Sequence, residues 1–147
     1  MTKSMVCVDA NVFIRALLGG QFSEQANELF RHWNREKIAL IAPHLLAFEV
    51  TSTLRRLVFL GEITLQEGEE AFKHFLTLDI QLFFRREVVS IAWQYAHRFN
   101  RPRAYDTAYL AVAHLNNCEF WTADRRLYRA VTDSLPWVKC LQDSLDS

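Results

Sequence analysis

Met5-Val6-Cys7-Val8-Asp9 is an unbroken apolar run closed by a carboxylate. An apolar run without polar alternation reads as a strand buried on both faces, and such strands belong to parallel sheets covered by helices. Ala39-Leu40-Ile41-Ala42, Ile80-Gln81-Leu82, Glu119-Phe120-Trp121 and Trp137-Val138-Lys139-Cys140 supply further short strand patterns downstream. Helical patterns lie between them. Ala26, Leu29, Phe30 and Trp33 recur at i, i+3, i+4, i+7, with Ser23 placed to cap their helix. Thr64 and Glu67 form a capping box for a helix expected to bury Leu65, Phe72, Phe75 and Leu76. Val88, Ile91, Ala92, Tyr95 and Phe99 share one face of another helix, and the stretch 106–115 is apolar almost all round, so it should be the central buried helix. Strands alternating with helices imply an α/β fold with a parallel sheet and right-handed crossovers.

The chain has 147 residues, 50% of them hydrophobic, 13% aromatic and 23% charged. These values suit one domain, residues 1–147, with a well-filled core, and argue against disorder. The formal net charge is zero, so any nucleic-acid binding must come from local clusters of basic residues. Cys7, Cys118 and Cys140 lie in apolar runs without a Cys-x-x-Cys pair and read as core thiols in a reducing cytosol. The first residues lack a signal-peptide core and no segment is long enough to span a membrane, which points to a cytoplasmic protein. Gly19-Gly20 lacks the surroundings of a phosphate loop, and the five histidines show no metal-ligand spacing. His114, on the buried helix, reads as a satisfied core residue.

In open α/β sheets ligands bind beyond the carboxyl ends of strands, which gives polar residues just after an apolar run a privileged place. Asp9 follows the first strand and Asp124 follows the fourth by way of Thr122-Ala123, so both should emerge at one sheet edge. Asp106 opens the buried helix, where it can cap backbone N–H groups and face the same edge. Glu49 lies in a helix expected to begin near Pro43. On that helix Leu46, Val50, Thr53 and Leu57 form a stripe, and Glu49 falls roughly 60° from its centre, which sets a charge beside the core. Such a carboxylate needs a compensating partner, either a divalent cation or an arginine. Taken singly, Asp9, Asp106 and Asp124 read as helix caps, and Glu49 as a helix-edge partner of Arg56. The case for a site rests on the set.

Val8-Asp9-Ala10-Asn11-Val12-Phe13-Ile14, Phe48-Glu49-Val50, Tyr105-Asp106-Thr107-Ala108-Tyr109-Leu110-Ala111 and Thr122-Ala123-Asp124-Arg125-Arg126-Leu127 together resemble the PIN-domain family, specifically VapC toxins. The resemblance spans nearly the whole chain. It implies a three-layer α/β/α domain with a central five-stranded parallel sheet, and a metal-dependent endoribonuclease using one or two Mg²⁺ or Mn²⁺ ions. It places Asp9, Glu49, Asp106 and Asp124 on the family's acidic quartet, with Asn11 and Thr122 as supporting positions. Arg125 stands where some members carry a further acid, which is a departure from the pattern. The resemblance also implies a cognate antitoxin and a homodimer.

Two basic clusters bracket the acids, Arg98, Arg101 and Arg103 before Asp106, and Arg125, Arg126 and Arg129 after Asp124. Arginine suits RNA phosphates, and the same residues can equally pair with acids or form a solvated helix face. Tyr105, Tyr109 and Tyr128 could stack on a base, although aromatics in apolar helices more often serve the core. Phe30, Trp33, Phe48, Leu57, Val58 and Phe59 exceed what one helix face can bury, so part of that surface could meet a partner. Three other readings stay open: a PIN-type domain that binds RNA or protein without cutting, a free-standing RNA-processing nuclease, and a phosphatase or phospho-acceptor domain. The last gives no reason for Glu49.

Overall fold

The computed structural model describes residues 4–141. The opening residues 1–3 weighed for a targeting signal lie outside that range. The elements run β1 (Met5–Val8), α1 (Ala10–Leu18), α2 (Ser23–Arg35), β2 (Ala39–Pro43), α3 (Leu46–Phe59), α4 (Leu65–Thr77), β3 (Ile80–Phe83), α5 (Arg86–Arg98), α6 (Tyr105–Leu115), β4 (Glu119–Thr122), α7 (Arg125–Val131) and β5 (Val138–Cys140). All five strands are parallel, in the order β3-β2-β1-β4-β5. The chain fills one side of β1 before crossing to β4, so the direction of winding reverses between β1 and β4. A crevice opens at such a point.

Adjacent residues of a strand face opposite sides of a sheet, and β4 shows which helices cover which side. Phe120 meets Tyr109 of α6 at 5.8 Å between ring centroids, whereas Trp121 meets Trp33 of α2 at 6.3 Å. The sheet therefore lies between the α6 layer and the α2 layer, in three layers as expected. On the α2 side, Phe13 packs against both Phe30 and Phe75, joining α1, α2 and α4. On the other side, residues 107–113 of α6 are all buried, which is why that helix shows almost no polar face in the sequence.

Local signals explain several boundaries. The Thr64–Glu67 capping box forms with both hydrogen bonds, at 3.0 and 2.9 Å, an arrangement worth about 1 kcal/mol. Gly68 lets α4 approach α3, since a Cβ there would lie 2.5 Å from Val58 Cγ2.

Other expectations are corrected. Pro43 ends β2 instead of opening a helix, and α3 starts three residues later at Leu46. Ser23 is the first residue of α2 and makes no cap; Phe22, in the left-handed region at φ 64°, holds that position. Leu65 and Leu76 are exposed because the buried stripe of α4 is Gly68, Ala71 and Phe75. Leu76 lies about 100° around the helix from Phe75, and Leu65 sits on the rim of an α3–α4 groove. The ring of His114 is exposed, not in the core, and shares a 2.9 Å hydrogen bond with Tyr95. The aromatic content does not all fill the core either: Phe48, Phe59, Phe84, Trp93 and Tyr105 are exposed.

Candidate active site

The carboxyl ends of β1 and β4 lie side by side, and the ladder continues past them through Asp9 N–H donating to Trp121 O at 2.9 Å. Backbone pairing thus fixes where Asp9 and the Thr122-Ala123-Asp124 turn stand. Asp9 is buried and caps α1, its Oδ1 accepting from Ala10 N at 2.8 Å. Its Oδ2 accepts from Thr122 Oγ1 at 2.8 Å and from Asn11 Nδ2 at 3.3 Å. The Thr122 hydroxyl oxygen in turn accepts from Asp124 N at 3.0 Å, and Asn11 Oδ1 accepts from Ala123 N at 2.9 Å. Asp124 caps α7 by accepting from Arg126 N and Leu127 N. Asn11 and Thr122 therefore couple Asp9 to the turn that carries Asp124.

The other two acids ride on helices. Glu49, in the first turn of α3, is half-buried, and its Oε1 accepts a 2.6 Å hydrogen bond from the Tyr109 hydroxyl. The compensating partner is a buried phenol. Neither Arg56 nor any other cation takes that place among the described residues. Asp106 lies inside the first turn of α6; Ala104 holds the cap position, so Asp106 is not the cap its place in the sequence implied. A carboxylate there still meets the positive end of the helix dipole. Its Oδ2 stands 3.5 Å from Arg101 Nη2.

Electrostatics tie the four acids into one neighbourhood. Burial, with smaller additions from Asp106 and Glu49, pushes the Asp9 carboxyl up to about 8, against the lowering effect of the Thr122 hydrogen bond. Glu49 is raised by burial and by Asp106, and Asp106 is raised by burial and by Asp124. Burial, followed by the charges of Asp9 and Glu49, raises Tyr109 as well. Asp9, Glu49 and Asp106 thus each feel at least one other acid. No three His, Cys, Asp or Glu side chains among the described residues already converge as a finished metal cage. The donor set nonetheless fits a hard divalent cation: all its ligating atoms are oxygens, and crowding and burial make the anionic form of Asp9 costly without a counter-charge.

The arginines behave unequally. Arg101 is committed to Asp106, and Arg98 lies over the Phe99 ring at 5.0 Å. Arg101 and Arg103 line a groove of about 260 Å³ with Trp93, His97 and Asn100. Arg126 and Arg129 are exposed on α7, and Arg125 is partly buried at its start. Tyr109, only 1% exposed, cannot stack on a base; Tyr105 is exposed and Tyr128 is half-buried. The link from Tyr109 to Glu49 was missed in the sequence, where the only signal was its spacing, i+3 from Asp106 on one face of α6.

The fold defines the class, a three-layer α/β protein with Asp9 and Asp124 joined through Thr122 at the point where its parallel sheet reverses winding. The PIN domain family matches residues 6–132. VapC ribonuclease Mb0985 from Mycobacterium bovis is 30% identical over 123 residues, covering 84% of this chain and 88% of that protein. Ribonuclease VapC9 from Mycobacterium tuberculosis matches with the same identity and coverage. The chain belongs to the PIN-domain family, in its VapC branch. The fold also matches a toxin-antitoxin complex from Klebsiella pneumoniae, with a TM-score of 0.64 at 15% identity over 90% of this chain and 94% of that one. PAE2754 from Pyrobaculum aerophilum matches with a TM-score of 0.65 at 19% identity, over 93% and 84%. Among the described residues no helix is long and apolar enough to cross a membrane.

Proposed function

We propose that the chain, acting as a single domain over residues 1–147, is a divalent-metal-dependent endoribonuclease, the toxin of a VapBC-type pair. The observation that carries this reading is the state of Asp9, a buried carboxylate beside Glu49 and Asp106 whose charge has no cationic partner among its hydrogen bonds. Asp9 and Asp106 are the residues that would hold the better-defined Mg²⁺ or Mn²⁺, with Asp124 and Glu49 completing the site or orienting the attacking water; the site takes one or two ions. When bound, the cation supplies Lewis acidity toward phosphoryl oxygens and lowers the pKa of water.

The chain's own groups supply the rest. Thr122 and Asn11 fix the Asp9 oxygens, so the site is organised before substrate arrives. Glu49, half-buried and with raised proton affinity, can hold a proton taken from the attacking water. Arg98, Arg101, Arg103, Arg125, Arg126 and Arg129 are the residues that would hold RNA phosphates, Arg101 exchanging Asp106 for phosphate.

The VapC relatives support a cognate antitoxin as partner and a cytoplasmic location. A homodimer is supported by Phe48, Phe84, Val89, Trp93 and Tyr105, exposed around an apolar cavity of about 460 Å³.

Cleavage of RNA in Mg²⁺ or Mn²⁺, followed by addition of chelator, tests the nuclease. Cleavage that stops with chelator is expected. RNA that binds and stays intact in both metals would support the non-catalytic reading instead.

A further inference from the structure

Three of the four acids have evident means of support: Asp9 and Asp124 in the β1–β4 hydrogen-bond network, and Asp106 against Arg101. Glu49 is the exception. It carries three side-chain torsions and is only half-buried. Left to itself such a side chain would sample several rotamers, and each would set its carboxylate differently.

One contact restrains it. Tyr109 Oη donates to Glu49 Oε1 at 2.6 Å across 60 residues of sequence, and Oε2 accepts no hydrogen bond among the described residues. The donor itself is rigidly held. Its ring is buried against Phe120, and its own carbonyl accepts from Cys7 Sγ at 3.5 Å, next to the strand end that carries Asp9. A phenol at the end of a locked ring is a fixed point, and a 2.6 Å O–H···O⁻ bond is in the short, charge-assisted range. Nor can this phenol act on RNA directly, since it is walled off from solvent.

We propose that Tyr109 is a positioning residue for the cation site: it pins one oxygen of Glu49 and leaves the other for the cation or its water. The inference rests on the metal-dependent reading above and adds a residue that the acidic quartet does not contain. Tyr109 then does for Glu49 on α3 what Thr122 does for Asp9 just past the end of β1.

The test is calorimetric titration of Mn²⁺ into the full-length protein, comparing the parent, Tyr109→Phe, Glu49→Ala and the double variant. Tyr109→Phe keeps the ring and its packing, so the fold should persist. It is expected to weaken Mn²⁺ binding about 10-fold, and to cause no further loss in the Glu49→Ala background. RNA turnover should follow in kcat, with KM little changed. Parent-like Mn²⁺ affinity in Tyr109→Phe, with or without a lower melting temperature, would overturn the proposal and reduce the hydroxyl to a structural role. An equal loss in both backgrounds would overturn it too, because Tyr109 would then act independently of Glu49. A parent that binds no Mn²⁺ removes the metal-dependent reading itself, and this inference with it.

Discussion

The candidate site has two unlike halves. Asp9 and Asp124 hang from the ends of two paired strands and share a continuous hydrogen-bond network through Thr122 and Asn11. Glu49 and Asp106 stand on separate helices, each tied to the protein by one side-chain partner, Tyr109 and Arg101. Strand ends in a ladder are set by the same backbone bonds that build the sheet, so carboxylates there are placed when the sheet forms. Helix-borne carboxylates depend on how the helices dock. The first half is therefore set by the sheet itself and is the rigid side, whereas the second is held by helix docking and by one contact each, Glu49 by the locked Tyr109 ring and Asp106 by Arg101.

The largest expected effect comes from removing the charge at the centre of the rigid half. Asp9→Asn should cut RNA cleavage by more than about 100-fold, beyond the loss usual for residues that only support a metal ligand. Asp106→Asn should do the same while the melting curve of both variants stays cooperative. A variant that cuts like its parent would remove that residue from the mechanism and dissolve the contrast between the halves.

A smaller effect sharpens the contrast. Thr122→Val deletes the hydroxyl that donates to Asp9 and accepts from Asp124 N. Buried groups left without partners cost about 1–3 kcal/mol each. Denaturant unfolding should show a loss of that size, together with weaker Mn²⁺ binding. Unchanged stability would mean that the strand-end network is not what holds the rigid half.

The least of the three is a pH effect on the cation-free protein. The unfolded Asp9 carboxyl releases its proton near its ordinary value of 3.8, whereas the folded one keeps it to about 8. Between those values the folded state binds more protons, so stability falls as pH rises, and the contribution is fully present only below the lower value. Glu49 and Asp106, also raised, act in the same direction. Melting in chelator should drop by at least about 3 °C from pH 5 to pH 8, and saturating Mn²⁺ should reverse much of the drop. A flat profile would show that Asp9 is not starved of counter-charge.

Legibility in the sequence followed the range of the interaction. The apolar runs ending at Val8 and near Trp121, and the all-round apolar pattern of α6, expose burial on both sides of a residue, which any fold of this kind must satisfy. The capping box at Thr64 was readable because its partners lie three residues apart. Where two local readings compete, the nearer packing decides: Pro43 suits a helix start as well as a strand end, and its pairing with Phe83 of β3 settles the matter. The exposure of Leu65 and Leu76 was not readable, because an apolar side chain looks the same in sequence whether the neighbouring helix reaches it or stops short.

For the candidate site, Asp9 and Asp124 were nominated by their places after strands, Asp106 by opening the buried helix, and Glu49 by its charge beside an apolar helix stripe. What keeps them in working order was not legible there. Thr122 reaches Asp9 across 113 residues and Tyr109 reaches Glu49 across 60. The sequence by itself determined the alternation of strands and helices and the arrival of Asp9 and Asp124 at one sheet edge, because backbone geometry fixes both over short spans. Only the tertiary structure decided that a tyrosine and not a cation-bearing side chain neutralises the need of Glu49, and that Arg101 is held by Asp106. Such pairings depend on how far one helix slides over another, and no local pattern encodes that distance.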